Sequence, residues 1–123
     1  MTLDTNILIA YIGGDGLVIK TLTFWRQQAK SLFLSAVAET EVLSFVGMDA
    51  DERRVTEQFL EANFTSVPFD RSVARIAADI RRSTKIKFPD AAIAATALFT
   101  HTPIVTRNHR DFKRIAGLQI VSI

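Results

Sequence analysis

Apolar positions along the chain recur in two rhythms, short unbroken runs and helical spacings, and the two alternate from one end to the other. A brief apolar start at Met1–Leu3 leads into NILIAYIGG, a short helix stopped at Gly13 and Gly14. Leu17–Lys30 reads as a second helix, with Leu17, Lys20, Leu22, Phe24, Trp25 and Gln28 in an imperfect amphipathic pattern. LFLS at 32–35 is a buried strand, and a helix over Val37–Phe45 follows it and ends at Gly47. A polar helix, Asp51–Ala62, precedes a strand at Phe64–Val67. Asp70 then caps the helix SVARIAADIRRS, where Val73, Ile76, Ala77 and Ile80 form the core face. Pro89 suits the first position of the helix DAAIAATALF, whose small residues permit close packing. PIVT, a short basic helical segment and a last strand, LQIVSI, complete the chain.

Strands that alternate with helices require a parallel sheet covered on both faces, so the expected class is α/β, in a single domain over residues 1–123. With 48% apolar and 23% charged residues, a chain of this length can bury a core without disulfides. No apolar run approaches the roughly 20 residues of a membrane span, and the start MTLDTN lacks the basic region of a secretory signal. The cytoplasm is the expected location, with no membrane partner. Without cysteine, and with only His101 and His109, there is no zinc cage, so any bound metal is an oxygen-ligated ion such as Mg²⁺ or Mn²⁺.

The net charge of +2 conceals a division. Residues 1–69 carry five basic side chains against nine acidic ones, a net of −4, and residues 70–123 carry ten against four, a net of +6. The basic half is a candidate polyanion surface, its charges grouped as Arg81, Arg82, Lys85 and Lys87, then Arg107, Arg110, Lys113 and Arg114. Arg81, Arg82, Lys85, Arg107 and Arg110 are the candidate contacts for such a polyanion, a nucleic acid such as RNA included.

Four acids stand where a parallel fold brings side chains to one edge, because ligands bind beyond the carboxyl ends of such strands. Asp4 leaves the first strand, and Asp111 lies just past PIVT. Glu41 follows Ser35 by six residues, and Asp90 opens its helix beside Pro89. Glu39 is only two residues from Glu41, about 200° around a helix, so one of the pair enters the site and the spacing favours Glu41. Carboxylates gathered without a basic partner repel one another unless a cation neutralises them, which points to a divalent metal and to phosphodiester hydrolysis. Thr5, Asn6, Ser35, Thr106 and Asn108 offer short polar groups beside these acids, suited to orienting carboxylates or water.

These residues resemble the PIN domain nucleases, and among them the VapC-type toxins of toxin–antitoxin systems. The resemblance runs through LDTNILI, SAVAETEVLSF, IAADIRR, PDAAIAATAL and VTRNHRDFKRIAGLQIV, nearly the whole chain. It implies a Rossmann-like α/β/α sandwich with a central parallel sheet. It also implies Mg²⁺- or Mn²⁺-dependent endoribonuclease activity, an RNA substrate, a cognate antitoxin and a homodimer. Position by position, Asp4, Glu41, Asp90 and Asp111 match the family's catalytic and metal-binding acids, and Thr5 and Thr106 its small polar positions. Many relatives carry an acid where this chain has Asn108, so the fourth metal position is either Asn108 as a neutral ligand or Asp111. Phe24, Trp25, Phe45 and Val46 are candidates for an antitoxin groove or dimer face, against simple core packing. A PIN nuclease of RNA processing or decay, and a PIN-like module that binds without cutting, are the alternatives.

Overall fold

A computed structural model describes residues 1–123. Its elements are β1 (Thr2–Leu3), α1 (Thr5–Ile12), α2 (Gly16–Gln27), β2 (Phe33–Ser35), α3 (Ala36–Leu43), α4 (Ala50–Asn63), β3 (Thr65–Val67), α5 (Arg71–Ser83), α6 (Phe88–Thr100), β4 (Ile104–Val105), α7 (His109–Phe112) and β5 (Ile120–Val121). The five strands form one sheet in the order β3-β2-β1-β4-β5, and every pairing is parallel. The α/β class is as expected, with one refinement. The first three crossovers each use a pair of helices, and only β4 and β5 are joined by a single short one.

The order explains where a ligand can sit. From β1 the chain moves outward to β2 and β3, then returns to place β4 on the other side of β1. Beyond the carboxyl ends of β1 and β4 the two directions of winding diverge, and in open parallel sheets that divergence opens the ligand crevice. Asp4 leaves β1 and Thr106 leaves β4 at this point, their strands locked in register by the Asp4 N–H donating to the Val105 carbonyl at 3.0 Å.

Local sequence accounts for most of the boundaries. Asp15 caps α2 through the N–H groups of Leu17 and Val18, Ser35 caps α3 through Val37, Asp49 caps α4 through Glu52, and Asp70 caps α5 through Val73. The second helix ends three residues short of Lys30, where Ala29 takes a left-handed φ of 55°. The third stops at Leu43, so Phe45 lies outside it. In α6 the helix begins at Phe88, earlier than Pro89 marks it, which puts Asp90 at the third position of the first turn. The final strand keeps only Ile120 and Val121 of LQIVSI.

The core is one cluster of 26 buried residues spanning the sheet and its helices. Along α5 the buried positions are Val73, Ala77 and Ile80, the face expected from spacing. In α2 the buried face is Val18, Leu22 and Trp25, whereas Leu17 and Phe24 are exposed. Trp25 is therefore a core residue, and of the four candidate interface residues Phe24, Phe45 and Val46 remain on the surface. All seven residues from Ala91 to Ala97 are buried, because α6 lies against α5, α3 and the strands β1, β2 and β4. Only a run of mostly small side chains fits a helix enclosed on so many sides. No single helix is long and apolar enough to cross a membrane.

Candidate active site

Asp4 stands between β1 and α1 and is nearly inaccessible to water. It caps α1, its Oδ1 accepting the N–H of Thr5 at 2.8 Å, and its Oδ2 accepts the hydroxyl of Thr106 at 2.7 Å. Thr106 is fully buried and acts as a hub: its oxygen also accepts the Asn108 N–H at 2.9 Å and the Asn6 side-chain amide at 3.4 Å. The side chain of Asn6 thus spans the crevice, with Oδ1 accepting the N–H of Arg107 at 3.4 Å. From the other side the hydroxyl of Thr5 donates to Glu41 Oε1 at 2.7 Å, tying α3 to the start of α1. At the exit of β4 the Asn108 amide donates to Asp111 Oδ2 at 2.7 Å. Asn108 and Asp111, the two candidates for the fourth position, are thus tied to each other.

The electrostatics show that the four acids share one space. Burial pushes the Asp4 carboxyl up, its hydrogen bonds from Thr106 and Thr5 oppose this, and the charges of Glu41 and Asp111 raise it further. Burial also raises Asp90, to about 6, reinforced by the negative charges of Asp4, Asp111 and Glu41 and opposed by Lys87. Two carboxyls disturbed by the same neighbours, with no cation paired to either, form a site that favours added positive charge. As the side chains stand, no three His, Asp or Glu groups are close enough to share one ion. That arrangement suits a hard divalent cation held by one or two carboxylates with water completing its shell, and every donor here is oxygen.

Beside the acids lies an open groove of about 570 Å³, where Lys85 and Lys87 from the α5–α6 connection face Arg110, Lys113 and Arg114, with Asp90 and Asp111 on its wall. Two of the candidate RNA contacts, Lys85 and Arg110, line this groove. Arg81 and Arg82 stand exposed in the last turn of α5, outside its lining. Arg107 points elsewhere: its guanidinium pairs with Asp15 at 2.8 Å and donates to the Ile123 carbonyl at 3.3 Å. Ser35 also has a different place from the one expected, since its Oγ accepts the Val37 N–H and so starts the helix that carries Glu41. Lys87, Lys113 and Arg114 join the groove without belonging to the RNA set expected from the sequence, although their charge clusters are plain there. The signal that could have found them is position, Lys87 just before α6 and the other two just after α7.

Fold and site together define a parallel α/β protein whose acidic centre lies at the topological switch point, flanked by a cationic groove. The chain belongs to the PIN domain family, which residues 1–118 match. Among curated relatives, Ribonuclease VapC of Rickettsia bellii is 29% identical over 133 aligned residues, covering 100% of this chain and 96% of that protein. The VapBC2 structure from Rickettsia felis, bound to a DNA fragment from their promoter, has a TM-score of 0.86 at 18% identity, covering 99% of this chain and 97% of that one; it shows the shared fold. A toxin–antitoxin complex from Klebsiella pneumoniae gives a TM-score of 0.78 at 28% identity, covering 98% and 94%.

Proposed function

We propose that this protein is a divalent-metal-dependent endoribonuclease, the toxin of a VapC-type toxin–antitoxin pair. The observation that carries the reading is the convergence of Asp4, Glu41, Asp90 and Asp111 at one crevice that opens beside a groove lined by five cations. The names of the relatives support it. Asp4 and Asp90 are the residues that would hold Mg²⁺ or Mn²⁺, with Glu41 and Asp111 completing the negative field. When bound, such an ion supplies an acidified water and offsets charge at the scissile phosphate. The chain's own groups do the rest. Thr106 and the Thr5 N–H fix the Asp4 carboxylate, Thr5 and Asn108 orient Glu41 and Asp111, and Lys85, Lys87 and Arg110 grip flanking phosphates. The exposed Phe24, Phe45 and Val46 offer apolar surface for an antitoxin segment or a second copy of the chain.

The test is cleavage of a mixed, structured RNA pool by purified protein with Mg²⁺ or Mn²⁺, with and without chelator, beside the Asp4→Asn/Asp90→Asn double variant. Cutting is expected with metal, and is expected to disappear with chelator and in the variant. Cutting that survives in the variant would assign the activity to a contaminant. A folded protein that holds RNA and never cuts it would be a binding module.

A further inference from the structure

Arg107 is the one basic residue of the segment after β4 whose charged group is already engaged, and its partners come from two other parts of the chain. One is Asp15, which also caps α2; the other is the Ile123 carbonyl beyond β5. The Arg107 backbone N–H meets Asn6, from the first turn of α1. Immediately before Arg107 in sequence is Thr106, which holds Asp4, and immediately after it is Asn108, which holds Asp111. Every N–H of this three-residue segment is used, that of Thr106 by the Val121 carbonyl at 3.0 Å. The ion pair with Asp15 also holds the Asp15 carboxyl below its usual range.

We infer that Arg107 is a positioning residue: clamped by Asp15 and Ile123, it fixes the 106–108 segment so that Asp4 and Asp111 face one another across the crevice. The inference rests on the proposed nuclease function for its consequence, but the clamp itself is independent of it. It also removes Arg107 from the substrate path. A guanidinium free to meet phosphate would gain from the loss of Asp15, whereas a clamp fails when either end is removed.

Three variants separate these roles: Arg107→Met, Asp15→Asn and Arg107→Lys. Asparagine caps a helix as well as aspartate does, so Asp15→Asn removes the charge and leaves the start of α2 intact. The readouts are backbone amide exchange at Arg107 and Asn108, Mn²⁺ affinity, and kcat and KM for RNA. Arg107→Met and Asp15→Asn should each speed exchange at both amides and weaken Mn²⁺ binding by about tenfold, the lower end for a contact outside the ligands themselves, with kcat falling and KM steady. Their double variant should be little worse than either, and Arg107→Lys should recover part of the loss. Unchanged exchange in both variants would overturn the clamp. So would a raised KM and a shallower salt dependence in Arg107→Met with none in Asp15→Asn, the mark of a phosphate-binding side chain. If the parent protein neither binds Mn²⁺ nor cuts RNA, the nuclease reading fails, and the exchange measurement alone decides whether Arg107 anchors the segment.

Discussion

Thr106 shows how much one hydroxyl can organise. It is fully buried, donates to a buried carboxylate and accepts from two amides, so valine, which matches its shape, would leave Asp4 Oδ2 without its donor. A hydrogen bond to a charged group contributes about 1.5–3 kcal/mol, and Thr106→Val should cost about 2 kcal/mol by urea denaturation and lower cleavage at least tenfold. Asp90 has the opposite stability effect. Its carboxyl titrates near 6 in the folded chain, above its ordinary value of 3.8, so between those limits the folded state binds more protons than the unfolded one. The metal-free protein therefore loses stability as pH rises through this window. Asp90→Asn should stabilise the protein at about pH 7 in chelator by about 1 kcal/mol, after allowance for solvent screening at a group that is only partly buried, with the gain fading towards about pH 4. Thermal unfolding of both forms across that range checks the sign.

At the scale of elements, capping explains how short strands deliver side chains to one edge. Ser35 ends β2 and begins α3 within a single residue, which aims the first turns of α3, and hence Glu41, over the crevice. Ser35→Ala should cost about 1 kcal/mol and Ser35→Gly only a few tenths, measured by denaturation. The enclosed face of α6 is similarly unforgiving. Ala94→Leu forces a larger side chain into a site with no exposure and should cost about 1–3 kcal/mol. Such elements were legible in the sequence where one force dominated: α5 from its strict apolar spacing and the Asp70 cap, α6 from Pro89 and its alanines. The face of α2 was harder to read, because Leu17 and Phe24 are as apolar as the Val18 and Trp25 that the fold buries. Local spacing cannot tell a core leucine from one left on the surface.

Across the whole molecule, the charge asymmetry seen in the sequence becomes a groove. The acids of the first half, Asp4 and Glu41, meet Asp90 and Asp111 of the basic half because β4 returns beside β1. The four acids could be proposed from linear position alone, since each lies at an element boundary or on a helix leaving a strand. The fate of the arginines could not. Whether Arg107 meets RNA or Asp15 depends on a pairing of residues 92 apart in sequence, which no local pattern contains. In the groove, replacing Lys85 or Arg110 by alanine should weaken RNA binding and reduce the salt slope by roughly 0.7–0.9 for each phosphate left without its cation. Arg81→Ala, outside the groove, should do neither.

Residue, element and fold bring four acids to one crevice, and the proposed cation would displace the proton that a raised Asp90 carries. Calorimetric titration with Mn²⁺ at pH 6, in buffers of different ionisation enthalpy, counts that proton directly. Because the Asp90 carboxyl is pushed up to about 6, binding should release roughly half a proton from it, release less as pH rises to about 8, and release less in Asp90→Asn than in the parent protein. Binding that releases no proton and survives both Asp4→Asn and Asp90→Asn would place the ion elsewhere and contradict the account.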